Sequence, residues 1–167
     1  SKPYARDGQF EFEADGRAIV ADAEAVPFTV TVPRVAKPAG GYPFLAYLHG
    51  TSGLSDQVLH RGPRCSQDDV PPEGSGPAAM AAASGGASIG HALPRNPERD
   101  PGAASDVAFY NLENPRALRD TFRQAALESV LVIRYLSSAS LDTSDCEGAS
   151  PVATFDATRA VLSGQSL

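Results

Sequence analysis

Ala160-Val161-Leu162-Ser163-Gly164-Gln165-Ser166-Leu167 closes the sequence and governs the reading of everything before it. The apolar run 160–162 reads as a strand and leads straight into Gly164-Gln165-Ser166-Leu167, four of the five positions of G-x-S-x-G. In that pentapeptide the serine sits on a sharp turn between a strand and a helix, which lifts its hydroxyl into reach of a substrate. Gly164 suits the turn because the backbone there comes close to the element that follows. Ser166 is the candidate nucleophile, against the alternative of an ordinary serine in a terminal tail.

Upstream, Phe44-Leu45-Ala46-Tyr47-Leu48 is an unbroken apolar run between Pro43 and Gly50. A run of this length suits a strand buried on both faces, as in a parallel sheet. Phe28-Thr29-Val30-Thr31-Val32 and the alternating Gln9-Phe10-Glu11-Phe12-Glu13 read as strands with one solvated face. Ala78–Ala83 reads as a short helix ended by Gly85-Gly86, and 87–93 as another strand. Prolines at 94, 97 and 101 exclude regular structure over 94–102. Asn114 is a good N-cap and Pro115 a good first helical residue. Leu118, Phe122, Ala125, Ala126, Val130, Ile133 and Leu136 then form an apolar stripe on a helix of about 22 residues. Strands alternating with helices predict an α/β fold with a mainly parallel sheet.

His49-Gly50-Thr51-Ser52-Gly53 follows the buried run 44–48. A glycine-rich segment at the end of a central strand can aim backbone N–H groups at a developing oxyanion. The N–H groups best placed for this are those of Thr51 and of Leu167. The alternative is a plain strand-end turn with a structural histidine. His91, at the end of a predicted strand, is placed where such a sheet binds ligands, although a structural role is the commoner one.

Tyr47–Gly53 and Val161–Leu167 together resemble the bacterial serine esterases and lipases of the α/β-hydrolase superfamily. Phe109-Tyr110-Asn111-Leu112-Glu113-Asn114-Pro115-Arg116, continuing through Arg119-Asp120 and Phe122-Arg123-Gln124, is similar to the helix that precedes the nucleophile in larger members. The resemblance implies that 1–167 is the N-terminal half of an α/β-hydrolase catalytic domain. The two motifs are about 115 residues apart, which implies a loop-rich insertion over about 54–106. Cleavage of carboxylic esters, including lipid esters, through an acyl-enzyme on Ser166 is implied. His49 is implied to be structural. The base and acid are expected from a C-terminal fragment of the same enzyme, present as a separate chain. An amidase using the same apparatus, and a non-catalytic binding or structural domain, are the alternatives.

The charge balance of 14 basic against 20 acidic residues, a net −6, argues against nucleic-acid binding. No apolar run reaches the length of a membrane span. No metal-ligand spacing and no dinucleotide or phosphate signature is present, so neither a metal nor a cofactor is expected. Cys65 and Cys146 lie in polar, loop-like stretches. A bridge between them is the expectation, and with it a secreted or periplasmic location; two free thiols and a metal role are the alternatives.

Overall fold

The computed structural model describes residues 7–66, 68–72, 74–100 and 108–166, with only the backbone of Ala108. The elements are β1 (Phe28–Thr31), β2 (Tyr42–Leu48), α1 (Gln57–His60), α2 (Pro77–Ala83), β3 (Ala87–His91), a 3-10 turn (Ala108–Tyr110), α3 (Pro115–Ser138), β4 (Leu141–Asp142), β5 (Val152–Ala153) and β6 (Phe155–Gly164). The main sheet has the order β1-β3-β2-β6. β2 runs parallel to both β3 and β6, and β1 is the antiparallel edge. The fold is therefore α/β, with a mostly parallel mixed sheet flanked by helices. β4 and β5 form a separate short antiparallel pair. The stretch 54–106 contributes α1, α2 and β3, and β3 is an inner strand of the main sheet.

The topology follows from handedness. The connection from β2 to β3 moves one way across the sheet, and the connection from β3 to β6 moves back past β2. If both crossovers are right-handed, their helices must lie on opposite faces. They do. Tyr42, Phe44 and Ala46 of β2 pack with Ile89, Leu136 and Phe155, joined by Val132 and Ile133 of α3. Tyr47 points the other way, onto Val58 of α1 and Ala78 of α2. Burial of alternate residues on both faces is why 44–48 reads as one continuous apolar run.

β6 is irregular at its start. Tyr42 pairs with Phe155 and Phe44 with Ala160, so β2 advances two residues while β6 advances five. The extra residues loop out, and Asp156 ties them by accepting from the Thr158 N–H (2.9 Å) and hydroxyl (2.6 Å). From Ala160 onward the register is regular to Gly164.

Three expectations need correction. No strand forms over Gln9–Glu13. Phe12 makes a single bridge to Ala18 around a turn at Gly16, and Phe12 stays exposed. The alternation is present, but no sheet edge lies beside it. Instead the Phe10 N–H donates to Asp120 Oδ2 at 3.0 Å and fastens the segment to α3.

The second correction concerns which face of α3 is buried. The helix caps as expected, with Asn114 Oδ1 accepting from the Ala117 N–H at 3.2 Å and Pro115 opening the first turn. Its buried residues, however, are Ala117, Asp120, Thr121, Glu128, Ser129 and Leu136. Phe122 and Val130 of the expected stripe are exposed, as are Leu127, Leu131 and Tyr135. Charged partners, from the helix itself for Asp120 and from the loop after β3 for Glu128, let the polar face go inside. Asp120 is held by Arg119 (2.7 and 2.9 Å) and Arg123 (3.2 Å). Glu128 receives both Nη atoms of Arg99, at 2.6 and 3.0 Å.

The expected Cys65–Cys146 bridge does not exist. Both thiols are free, exposed and far apart. Each loop is closed locally instead. The Cys65 N–H donates to Asp69 (2.8 Å), and the Cys146 N–H donates to the Thr143 carbonyl (3.0 Å). Their polar surroundings mark solvent exposure, not a shared covalent link. The secreted location expected from the bridge loses that physical ground.

Candidate active site

The carboxyl ends of β2, β3 and β6 bring three loops together: 49–55, 92–100 and 164–166. This edge of a parallel sheet is where open α/β sheets place their sites. β6 carries Ser166 to it. The Gln165 N–H donates to the Leu48 carbonyl at 3.2 Å, extending the β2–β6 ladder by one bond. Ser166, whose side chain is exposed, then adopts φ 62°. Positive φ is uncommon for a residue other than glycine and marks a constrained turn.

The loop after β2 lies directly against that turn. A Cβ on Gly50 would stand 2.9 Å from Ser166 Cβ and closer still to the Gln165 carbonyl oxygen. Only glycine lets the two loops approach this closely. Gly53 has the same constraint from the other side, since a Cβ there would meet His49 Cβ at 2.5 Å. The Gly53 N–H closes the loop onto the Gly50 carbonyl at 3.0 Å. Thr51 Oγ1 and the Tyr110 hydroxyl lie 3.1 Å apart, which links the loop to the 3-10 turn. Leu167 falls outside the described residues.

His49 is buried within this loop. Its Nδ1–H donates to the Gly50 carbonyl at 2.8 Å, and its Nε2 accepts from the Leu93 N–H at 3.1 Å. Burial lowers its pKa below the ordinary histidine value, so the ring is neutral. With both nitrogens engaged it braces the loop and has no lone pair to offer Ser166. His91 is likewise no crevice residue. It lies buried with its Nε2 3.4 Å from Ser129 Oγ on α3, and burial pulls its pKa to about 4. His60 sits on α1, 3.6 Å from the Asp56 carboxylate.

The residues that sequence reasoning missed lie in the proline-rich stretch. Asn96 donates through Nδ2 to the Gly53 carbonyl, and its Oδ1 accepts from the Glu98 N–H at 2.8 Å. Glu98 takes the Ser55 N–H (2.6 Å) and hydroxyl (2.8 Å). Arg99 is 4% exposed and spans Glu128, Glu24 (2.8 Å) and the Ala92 carbonyl (3.1 Å). Burial works against the Arg99 charge, but the two carboxylates outweigh it and hold the guanidinium protonated. The available signal was the polar run Asn96-Pro97-Glu98-Arg99-Asp100. Where prolines remove backbone donors, side chains must tie the loop down.

The post-β2 and post-β3 loops enclose a small cleft lined by Gly50, Thr51, Leu93, Pro94, Pro97 and Phe109. Its surface is mostly apolar, although His49, Ser52, Arg95 and Asn96 also line it. Among the described residues there is no group of three or more His, Cys, Asp or Glu able to hold a metal ion. No helix among them is long and apolar enough to cross a membrane. The chain matches no protein-family profile, no curated protein and no solved structure.

Proposed function

We propose that this chain carries the nucleophile and the oxyanion donors of a serine ester hydrolase. The observation that carries the reading is the seating of Ser166. It stands at φ 62° on the turn after β6, packed against Gly50 of the glycine-rich loop after the neighbouring strand. The order β1-β3-β2-β6 with an antiparallel edge supports the N-terminal half of an α/β-hydrolase sheet. In the reaction Ser166 Oγ attacks the ester carbonyl and expels the alcohol. The N–H groups of Thr51 and Leu167 hold the oxyanion, and water releases the acid from the acyl-enzyme. The apolar cleft suits the apolar part of an ester, whether a small molecule or a lipid; an amide substrate would use the same apparatus.

The base and acid come from a second polypeptide in this reading, a C-terminal fragment of the same enzyme. Each of the three histidines is placed away from the role of base. β6 is the edge of the sheet among the described residues, yet Val161 and Leu162 are 61% and 57% exposed. Neighbouring residues on a strand face opposite sides, so both faces of β6 await cover. A non-catalytic domain would keep the turn without needing Ser166 at all.

The test is labelling with a fluorophosphonate probe in the presence of the completing polypeptide. Ser166 should be the modified residue, and Ser166→Ala should abolish both labelling and ester turnover with the fold intact. Labelling at another residue, or full turnover by a folded Ser166→Ala protein, overturns the proposal.

A further inference from the structure

We infer that Asn96 is a positioning residue for the oxyanion donor on Thr51, acting through the ring of His49; the inference rests on the hydrolase reading above. Asn96 lies in the loop after β3 and touches neither Ser166 nor the Thr51 N–H. Its influence passes through a short series of fixed bonds.

The series begins with the orientation of the Asn96 amide. Oδ1 accepts from the Glu98 N–H at 2.8 Å, which turns Nδ2 toward the loop after β2. There Nδ2 donates to the Gly53 carbonyl and stands 3.4 Å from His49 Nε2. The Leu93 N–H reaches the same Nε2 at 3.1 Å. Two donors converging on one ring nitrogen keep it bare, so the proton of the neutral ring resides on Nδ1. Nδ1–H then donates to the Gly50 carbonyl at 2.8 Å, and the Gly53 N–H donates to that same oxygen at 3.0 Å.

Pinning that oxygen fixes the whole peptide. The Gly50–Thr51 unit is planar and trans, so the Thr51 N–H points opposite to the Gly50 carbonyl. Asn96 together with the Leu93 N–H therefore sets the tautomer of His49, His49 sets the Gly50 carbonyl, and the carbonyl sets the direction of the Thr51 N–H. An oxyanion donor works because it is aimed before the charge develops. A ring of the wrong tautomer would present a lone pair to the Gly50 oxygen, and the peptide would rotate away from it.

Asn96→Leu tests this, since it keeps the branching of the side chain and removes its donor and its acceptor. Two readouts are taken on the full chain together with its completing polypeptide. The first is the ¹⁵N shift pair of His49. Wild type should show one neutral tautomer with the proton on Nδ1, and Asn96→Leu should show a second population with the proton on Nε2. The second is hydrolysis of p-nitrophenyl acetate, where kcat should fall at least tenfold with KM changed less than twofold. Asn96→Ser keeps a donor and should fall between wild type and Asn96→Leu in both readouts; it carries the test if Asn96→Leu does not fold. An unchanged tautomer overturns the inference, whatever happens to kcat. A changed tautomer with unchanged kcat overturns the link to the oxyanion. A wild-type protein that neither hydrolyses the ester nor reacts with a fluorophosphonate removes the hydrolase reading itself, and the tautomer readout keeps that failure distinct from a failure at Asn96.

Discussion

Gly50 and Ser166 belong to loops more than a hundred residues apart in sequence, yet their backbones approach so closely that one added methyl group at Gly50 would fall 2.9 Å from Ser166 Cβ. The contact couples the geometry of the candidate nucleophile to that of the candidate oxyanion loop. Gly50→Ala should therefore shift both. We expect a destabilisation of about 1–3 kcal/mol from overpacking, read by urea unfolding, and a loss of ester turnover of about 10²-fold or more, as for a lost oxyanion donor. A variant with wild-type kinetics would show that the approach has no part in the chemistry.

The Arg99–Glu128 pair holds the proline-rich loop onto α3 with both partners nearly out of water, at 4% and 9% exposed. Removing one partner strands the other charge. Arg99→Ala should cost about 3–5 kcal/mol, and Arg99→Ala with Glu128→Gln should recover part of that loss. Chemical denaturation of the single and double variants measures both. A double variant no more stable than Arg99→Ala would mean that the stranded carboxylate is not the cause.

Acid should destabilise the fold in two steps. His91 titrates near 6.5 when unperturbed and at about 4 when folded, because burial disfavours its charged form. The unfolded chain thus binds the extra proton first, and stability falls as pH drops from about 6.5 to about 4. The pKa of His49 is lowered by the same cause and adds to this limb. The Arg119 hydrogen bond leads in holding Asp120 at about 2, against 3.8 unperturbed, so a second loss follows between those values. His91→Gln should flatten the first step, and Asp120→Asn the second. Urea midpoints measured across pH report both.

Cys65 and Cys146 should each react with iodoacetamide without reductant, and intact mass should show two additions. Fewer additions before reduction than after would restore the bridge.

Much of the fold could be read from local pattern. The buried run 44–48, the cap at Asn114-Pro115 and the punctuation at Gly85-Gly86 all act over a few residues, and each element formed where its chemistry pointed. The orientation of α3 could not be read this way. A stripe at helical spacing through Phe122 and Val130 promises burial, but Asp120 and Glu128 take the inside because Phe10 and Arg99 come to meet them from distant sequence. For the candidate site, Ser166, His49 and Thr51 could be singled out because short motifs carry them. Asn96 and Glu98 were not, because their roles depend on which loops the sheet brings side by side. The cysteines misled for a related reason: a polar neighbourhood implies a loop, and the step from two loops to one bond needs a distance that sequence does not hold.

The exposed faces of β6 bear on assembly. On the proposed two-part reading, Val161→Lys, upstream of Ser166, should leave that residue in place while weakening association with a completing polypeptide. Size-exclusion chromatography of the mixed chains should show free components where wild type shows a complex. Undiminished association would place the contact elsewhere.

The order of the sheet also sets a timetable for synthesis. β2 gains one neighbour when β3 emerges, but its other edge pairs with residues near Ala160, which is 116 positions after its partner Phe44. At about 5–20 residues per second on the ribosome, that edge waits roughly 6–23 s for its strand. Through that interval a strand that the finished fold buries on both faces has an open side. An open strand edge of this kind is a template for mispairing until β6 has been translated.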